Sequence, residues 1–263
     1  MIKFIASDLD GTLLLPSGEL PAETFTLIEK LHARGVLFCV ASGRQYESLR
    51  RLFAPVADKI IFIAENGALV FYKDTRLFGE NLPPDALDSA LHIIRQEENV
   101  YPLLCCENNA YVENDYAPFC SECKKYYPNF KTLTRLEDCP ELDSVCKIAV
   151  FDERGAALRS GKSLPEKLPI LRVIVSGKVW SDVSMPTVNK GNALVFTQKH
   201  FSLKKEECVA FGDYMNDLEM LQSCGQAFVT ENGYPALKER IGNVIPSNAE
   251  MGVIGTIKEF LKE

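Results

Sequence analysis

The sequence predicts an α/β fold in which a doubly wound parallel sheet is interrupted by an inserted α+β segment. At both ends of the chain, short runs that are apolar at every position alternate with segments of helical periodicity. Such runs are typical of parallel strands that are buried on both faces. The middle of the chain loses this alternation. We therefore expect a core domain at 1–82 and 187–263 and an inserted domain at 83–186.

The amino-terminal part predicts three parallel strands joined by helices and followed by a hairpin. Leu27, Ile28 and Leu31 recur at helical spacing, and Gly35 follows as a C-cap. The expected elements are strands Ile2–Ser7, Val36–Ala41 and Lys59–Ala64, helices Pro21–Arg34 and Gln45–Phe53, and the hairpin Ala68–Tyr72 with Thr75–Glu80. Pro83 and Pro84 then break the pattern and indicate the domain boundary.

The rest of the chain predicts the insertion and then the return to alternating strands and helices. In the insertion we expect helix Asp85–Glu97, strands Tyr101–Cys106, Cys146–Phe151, Arg172–Ser176 and Lys178–Met185, and a loop over Arg154–Lys167. After it we expect helices Lys190–Phe201, Met215–Cys224, Pro235–Ile241 and Ala249–Lys262, with strands Cys208–Gly212, Ala227–Thr230 and Val244–Ile245.

Composition narrows the function classes. The 263 residues are 46% hydrophobic and 25% charged, which is ordinary for a folded domain. The net charge of −7 argues against a nucleic-acid or anionic-membrane partner, so an anionic substrate would need a metal ion or a few placed cations. Acids follow the amino-terminal apolar residues closely, and no run approaches the ~18 apolar residues of a membrane span. We expect a cytoplasmic protein.

The nine cysteines are interpreted as reduced thiols. Five of them lie close together in the sequence: Cys105, Cys106, Cys120, Cys123 and Cys139. A zinc site would need a second CxxC pair or a nearby histidine, and neither is present in this stretch. Ordinary thiols are therefore favoured over zinc ligands.

Polar residues follow several of the predicted strands. They form the segments Asp8-Leu-Asp10-Gly-Thr12, Ser42-Gly43-Arg44 and Asp213-Tyr-Met-Asn216-Asp217. Any one of these acids could be a turn former or a helix cap. The carboxyl ends of parallel strands meet at one edge of a sheet, where ligands bind. Because several of these polar segments are expected at that edge together, a ligand-binding or catalytic site is favoured over separate turns and caps. Carboxylates with a substrate phosphate are the usual ligands of Mg²⁺.

Four segments in this order, Asp8-x-Asp10-Gly-Thr, Ser42-Gly-Arg, Lys190-Gly and Gly212-Asp-x-x-Asn-Asp217, resemble the four motifs of the haloacid dehalogenase-like hydrolase superfamily. The insertion between the second and third motifs, with the segment that begins at Asp182, resembles the Cof-type, subclass IIB sugar-phosphatase branch. The resemblance implies a Rossmann-like core with a C2B-type cap domain that covers the catalytic crevice. Thr187 departs from the branch pattern, which often has glycine there.

The resemblance also implies roles for individual residues. Asp8 would be the nucleophile, and Asp10 would be the acid that protonates the leaving group and later activates water. Ser42 and Lys190 would contact the phosphoryl oxygens, with Gly43 and Asn216 as further phosphate-binding positions. The Mg²⁺ ligands would be Asp8, the main-chain carbonyl of Asp10, and Asp213, with Asp217 as a further ligand or as a residue that orients the others.

The expected function is a Mg²⁺-dependent phosphatase that hydrolyses small phosphomonoesters, sugar phosphates first, through an aspartyl-phosphate. A phosphosugar mutase and a non-catalytic regulatory protein are the alternatives, and the presence of Asp8, Asp10 and Lys190 argues against the latter. The oligomeric state is left open. Candidate leaving-group contacts in the insertion are Glu107, Asn108, Asn109, Glu113 and Asp182, each of which could equally be exposed. Arg44 could contact substrate or simply lie on the surface, and Glu65-Asn66-Gly67 is interpreted as a tight turn outside the catalytic set.

Overall fold

The structure, a computed structural model, describes residues 1–127 and 129–262. The chain divides into two compact units. The core unit comprises Met1–Phe78 and the segment from Asn189 onward, and the inserted unit comprises Gly79–Val188. The inserted unit therefore begins four residues before the domain expected at 83–186 and ends two residues after it.

The elements occur in three successive groups along the chain. The first is β1 (Phe4–Ser7), α1 (Thr24–Ala33), β2 (Leu37–Ala41), α2 (Tyr46–Leu52), β3 (Ile60–Ala64), β4 (Leu69–Tyr72) and β5 (Thr75–Gly79). The second is α3 (Pro84–Ile94), β6 (Val100–Cys106), β7 (Ala110–Val112), α4 (Ala117–Tyr126), β8 (Lys131–Thr132), β9 (Val145–Asp152), α5 (Ser160–Lys167), β10 (Arg172–Val175) and β11 (Trp180–Ser184). The third is α6 (Lys190–His200), β12 (Cys208–Gly212), α7 (Leu218–Gln222), β13 (Gln226–Thr230), α8 (Pro235–Ile241), β14 (Val244–Ile245) and α9 (Gly252–Lys262).

The core unit is built on a sheet with the strand order β14-β13-β12-β1-β2-β3-β4-β5. The six strands from β14 to β3 in this order run parallel, and β4 is antiparallel to β3. Every residue of β1, β3 and β12 is buried, as the apolar runs predict. The α/β class with a parallel core sheet is therefore confirmed. The strand order reverses direction between β1 and β12, which is where open sheets of this type bind ligands.

The inserted unit has its own sheet, in the order β10-β11-β9-β6-β7-β8. Helices α3 and α5 pack on one face through a cluster that includes Leu91, Leu164 and Ile148. On the other face, the ring of Phe119 in α4 lies 5.6 Å from that of Phe151 in β9. The unit therefore has a hydrophobic core independent of the parallel sheet.

Two of the expected elements differ from the structure: one is a shorter α-helix than expected, and one was expected to be a loop and contains a helix. The helix expected over Met215–Cys224 is a short 3₁₀ turn followed by α7, because the carboxylate of Asp217 accepts two backbone hydrogen bonds from the preceding loop. The loop expected over Arg154–Lys167 contains α5. Its first amide, at Ser160, donates to the buried carboxylate of Asp152 at 3.0 Å, an interaction that hydrophobic periodicity does not show.

Asp182 was expected to be either a contact of the leaving group or an exposed residue. It is buried in β11, a strand flanked by β10 and β9, so the expectation of an exposed residue was wrong. Its carboxylate accepts a hydrogen bond from Lys147 in β9 at 3.1 Å. Of the other polar candidates in this unit, Glu113 pairs with Arg95, and Asn109 donates to Glu141.

Among the described residues, no helix combines the length and the apolar character needed to cross a membrane.

Candidate active site

Asp8 lies directly after β1, the strand at the middle of the parallel sheet. Its amide donates to the carbonyl of Phe211 in β12 at 2.9 Å, and its own carbonyl accepts from the hydroxyl of Ser7 at 2.7 Å. The residue is only 6% exposed. The two central strands thus hold the Asp8 carboxylate at the point where the strand order reverses.

Lys190 is the cation of the site. It is the first residue of α6, whose amino terminus is capped by Asn189, where the side-chain oxygen accepts from the amide of Asn192 at 2.7 Å. The lysine is 1% exposed, and its Nζ donates to Asp8 Oδ1 at 2.5 Å and to Asp217 Oδ1 at 2.6 Å. Burial disfavours its charge, but the two carboxylates outweigh burial and raise the pKa of Lys190. The ammonium therefore stays charged at neutral pH.

Three carboxylates converge beside this lysine. Asp8, Asp213 and Asp217 each offer an oxygen within 4.8 Å of the others. The hydroxyl of Thr12 donates to Asp213 at 3.1 Å, and Asp217 Oδ2 accepts from the amides of Asp213 and Tyr214 at 3.0 and 3.1 Å. Three carboxylates against one ammonium leave a formal charge of −2, which a divalent cation would balance. A cluster of oxygen ligands suits a hard cation of this kind.

The pKa values of the cluster show that its negative charge is costly without a metal. Burial raises the pKa of Asp8 well above its usual range, and the charges of Asp217 and Asp213 add to this against the opposing effect of Lys190. Burial, followed by the charge of Asp217, raises the pKa of Asp213 to about 6. The residues present therefore fit a divalent metal site formed by Asp8, Asp213 and Asp217.

The raised pKa of Asp213 predicts a pH-dependent stability. Because the native state binds this proton more tightly than the unfolded chain, the contribution of Asp213 to stability is fully present below the ordinary pKa of 3.8 and is lost as the pH rises through about 6. In metal-free protein, the loss from Asp213 is expected to be on the order of 1–3 kcal/mol. Thermal melts at pH 5 and pH 7.5 should show a lower Tm at pH 7.5. Added Mg²⁺ should raise Tm more at pH 7.5 than at pH 5, and Asp213→Asn should reduce the difference in Tm between the two pH values, with Asp8 supplying the remainder.

Asp10 lies outside the acid cluster. Arg44 donates to it through two bonds, from Nη2 to Oδ1 at 2.6 Å and from Nε to Oδ2 at 3.0 Å. The Asp10 side chain is 59% exposed. Arg44 is thus neither an isolated surface residue nor free for substrate in this conformation, because it holds the carboxylate that the resemblance assigns as the acid.

A segment left out of the expected catalytic set lies among the site loops. Asn66 Oδ1 accepts a hydrogen bond from the side-chain amide of Asn216 at 3.2 Å. The backbone N–H of Asn66 donates to the carbonyl of Ser42 at 3.0 Å. A Cβ at Gly43 would lie 3.0 Å from Asn66 Nδ2. Glu65 and Asn66 both have left-handed φ values, 50° and 55°. Backbone strain of this kind clusters at functional sites. The position of Asn66 just after β3, at the same edge as Asp8, is the signal that could have identified it.

The fold and these residues define a class of hydrolases for phosphoryl groups: a buried carboxylate, a buried lysine and an acid cluster at the reversal point of a parallel sheet. The sequence model of the haloacid dehalogenase-like hydrolases matches residues 5–257. The chain belongs to this family.

Relatives and solved structures agree with the assignment. The 5-amino-6-(5-phospho-D-ribitylamino)uracil phosphatase YbjI of Escherichia coli is 30% identical over 99% of this chain and 97% of its own length. The HMP-PP phosphatase of Cronobacter sakazakii is 28% identical over 90% of this chain and 87% of its own. The structure of TM0651 from Thermotoga maritima matches with a TM-score of 0.88 at 26% identity, covering 98% and 97% of the two chains. The protein is therefore a phosphoric monoester hydrolase, as its sequence predicts.

Proposed function

We propose that this protein is a Mg²⁺-dependent phosphatase that hydrolyses small phosphomonoesters, sugar phosphates first, through an aspartyl-phosphate on Asp8. The observation that carries the proposal is the buried ammonium of Lys190, which bridges the carboxylates of Asp8 and Asp217 at 2.5 and 2.6 Å. A buried cation beside a nucleophilic carboxylate is suited to stabilise the charge on the oxygens of the phosphoryl group that the carboxylate receives.

In the first half of the proposed reaction, a carboxylate oxygen of Asp8 attacks the phosphorus atom. The bond between phosphorus and the leaving oxygen breaks, and Asp10 donates its proton to that oxygen, releasing an alcohol. Lys190 stabilises the charge on the phosphoryl oxygens, and Ser42, Gly43 and Asn216 are the further proposed contacts.

In the second half, Asp10 is a carboxylate again and accepts a proton from an attacking water. The new oxygen–phosphorus bond forms as the bond to Asp8 breaks, which releases inorganic phosphate and restores both acids. Proton transfer of this kind contributes ~10²–10⁴-fold. The bound metal would supply charge neutralisation on the phosphoryl group. Asp8, Asp213 and Asp217, with the carbonyl of Asp10, are the residues proposed to hold it.

The inserted unit is proposed to be the cap that contacts the leaving group. It has its own sheet and core, as expected of a separate domain. The named activities of the relatives, on a phosphorylated ribitylaminouracil and on HMP-PP, support small metabolites as substrates. We place the activity in the cytoplasm. No disulfide joins the nine cysteines, all of which lie in the part of the chain that the structure describes, and this suits a reducing compartment.

The test is a panel of phosphomonoesters with Mg²⁺, in which phosphate release and isomer formation are both measured. We expect free phosphate from hexose, pentose or related esters, and no turnover in excess EDTA until Mg²⁺ is restored. Isomer formation without phosphate release would instead make the protein a mutase. Full activity in EDTA would remove the metal from the mechanism.

The Arg44–Asp10 pair gives a separate prediction. Asp10→Asn should lower kcat by ~10²–10⁴-fold. Arg44→Leu should lower kcat by less, about tenfold, because Asp10 keeps its proton-transfer chemistry but loses the group that orients it. Arg44→Leu should have almost no further effect in the Asp10→Asn background, since residues that act on one function are not additive.

A matched control exists on the same unit. Arg50 makes two hydrogen bonds to Asp74, at 2.5 and 3.0 Å, in an exposed pair like that of Arg44 with Asp10. Arg50→Leu should leave kcat unchanged. Equal losses of kcat in Arg44→Leu and Arg50→Leu would contradict a specific role for Arg44.

A further inference from the structure

The β13 loop, which we define as residues 230–234, hydrogen-bonds to the turn that follows β1. The hydroxyl of Thr230 and the side-chain amide of Asn232 both donate to the carbonyl of Gly11, at 3.3 and 2.8 Å. This carbonyl belongs to the residue directly after Asp10, whose own carbonyl is one of the proposed metal ligands. A carbonyl oxygen can accept two hydrogen bonds, so these two donors fix the orientation of the peptide group next to that ligand.

The same loop is bonded to the segment that carries Asp213. The backbone N–H of Tyr234 donates to the carbonyl of Asp213 at 2.7 Å. A Cβ at Gly233 would lie 3.0 Å from that carbonyl and 2.8 Å from the carbonyl of Thr230, so glycine permits this close approach. The β13 loop therefore joins two backbone segments that carry acids of the cluster, although none of its own residues belongs to the predicted site.

The two joined segments also touch each other directly. A Cβ at Gly11 would lie 2.9 Å from Asp213 Cγ and closer still to Oδ2, so any side chain at this position would displace the carboxylate. Gly11 has a left-handed φ of 86°, which glycine adopts without strain. The neighbouring hydroxyl of Thr12 donates to Asp213 Oδ1 at 3.1 Å. Where the turn at Gly11 lies therefore determines where the Asp213 carboxylate can lie.

Asn232 is held through both ends of its side-chain amide. Its Oδ1 accepts from the backbone N–H of Asn248 at 3.0 Å, while its Nδ2 donates to Gly11. Asn248 is buried and donates from its side chain to the carbonyl of Leu14 at 2.7 Å. An exposed side chain such as that of Asn232 loses rotamer freedom when it is ordered. The bond from Asn248 supplies this ordering and keeps the donor directed at Gly11.

We propose that Asn232 is a positioning residue for the metal ion. By holding the turn at Gly11 beside Asp213, it sets the affinity of the acid cluster for a divalent cation. The proposal rests on the proposed function, because it concerns the metal site of the same active site. Groups that hydrogen-bond to metal ligands typically change the affinity for the metal by ~10–100-fold. Asn232 acts through one further peptide group, so we place its effect at about tenfold, the lower end of this range.

The test is the binding of Mn²⁺ to the protein without substrate. Mn²⁺ takes the same oxygen ligands as Mg²⁺, and the free ion can be counted by electron paramagnetic resonance. Asn232→Ala should weaken the Kd for Mn²⁺ about tenfold at pH 7.5. Thr230→Val removes the other, longer hydrogen bond to Gly11 and should weaken the Kd about threefold. Thr230→Ser keeps a hydroxyl and should retain the wild-type Kd.

Turnover provides a second measurement, which a general loss of stability would not reproduce. The Mg²⁺ concentration that gives half-maximal phosphate release should rise about tenfold in Asn232→Ala. At saturating Mg²⁺, kcat should stay within about twofold of wild type, because the reacting groups are unchanged. A low kcat that added Mg²⁺ does not restore would contradict a role in metal affinity.

Asn243 provides the matched control. It is also exposed, and its side-chain amide donates to the carbonyl of Ala227 in β13 at 3.2 Å. Ala227 lies near the amino end of this strand, so the bond is at the opposite end from the β13 loop. Asn243→Ala should leave the Kd for Mn²⁺ unchanged. Equal losses of Mn²⁺ affinity in Asn232→Ala and Asn243→Ala, or an unchanged Kd in Asn232→Ala, would overturn the proposal.

Metal binding and turnover together separate this proposal from the proposed function. If the wild-type protein hydrolyses phosphomonoesters but Asn232→Ala binds Mn²⁺ as tightly as wild type, only the role of Asn232 is wrong. If the wild-type protein binds Mn²⁺ but hydrolyses none of the esters, the proposed function fails, and the titration still decides the role of Asn232. A wild-type protein that binds no Mn²⁺ would overturn the metal site and the role of Asn232 with it.

Discussion

Asp8→Asn should lower kcat for phosphomonoesters by at least ~10⁴-fold, because the amide cannot act as the nucleophile that accepts the phosphoryl group. The fold should remain intact. Lys190 keeps its hydrogen bond to Asp217 in this variant, so the buried ammonium is not left without a carboxylate. Loss of one of three crowded acids also removes repulsion, and Tm of the metal-free variant should equal or exceed that of the wild-type protein. Steady-state phosphate release and a thermal melt measure the two effects.

Asp58 gives a matched substitution for this experiment. It is an exposed acid of the core unit, in the turn before β3. Asp58→Asn should preserve kcat. Turnover within tenfold of wild type in Asp8→Asn would rule out Asp8 as the nucleophile.

Lys190→Met should have the largest effect on stability. Methionine keeps most of the side-chain volume but removes the charge that holds Asp8 and Asp217 together. Breaking a buried ion pair by removing one partner costs about 3–5 kcal/mol, since the remaining charge is left uncompensated. Loss of a charge-stabilising group should also lower kcat by at least ~10²-fold. Urea unfolding at pH 7.5 without metal measures the first effect.

The pH dependence of the stability of Lys190→Met distinguishes the loss of an ion pair from a simple packing defect. With Lys190 absent, the carboxylates of Asp8 and Asp213 can be neutralised only by protons or a metal, so part of the lost stability should return between pH 7.5 and pH 5. Lys199, exposed on the same helix, supplies the control: Lys199→Met should leave stability and turnover nearly unchanged. A pH-independent loss in Lys190→Met would contradict the electrostatic explanation.

The parts of the fold that were predicted correctly are those set by burial. Apolar runs such as Ile60–Ala64 are buried at every position. A short run that is apolar at every position is itself the sequence signal of a strand buried on both faces, so the sequence alone identifies these strands. The meeting of Asp8 with Asp213 follows from the parallel order of their strands. Helix α5 was missed because Gly161 and Pro165 interrupt its helical signal, although its buried Leu164 packs in the core of the inserted unit.

The parts of the site that were not predicted depend on side-chain pairing across loops. Arg44 lies 34 residues from Asp10, and no spacing rule connects them. Asn66 reaches Asn216 only because its backbone adopts a left-handed conformation, which an Asn-Gly pair allows but does not require. Local pattern identifies the residues at an edge of the sheet, but the loop conformation decides which of them touch.

The interrupted order of the core unit also has a consequence for how the chain folds during synthesis. Phe4 of β1 pairs with Cys208 of β12, and Asp8 meets a lysine 182 residues further along. At ~5–20 residues per second, the ribosome needs roughly 10–40 s to supply β12 after β1. The inserted unit is continuous in sequence and emerges complete within that interval, so it can fold first. Until β12 is synthesised, the edge of the hydrophobic strand β1 that pairs with it has no partner strand. The catalytic residues therefore assemble last. We expect nascent chains that end before β12 to contain a folded inserted unit but no active site.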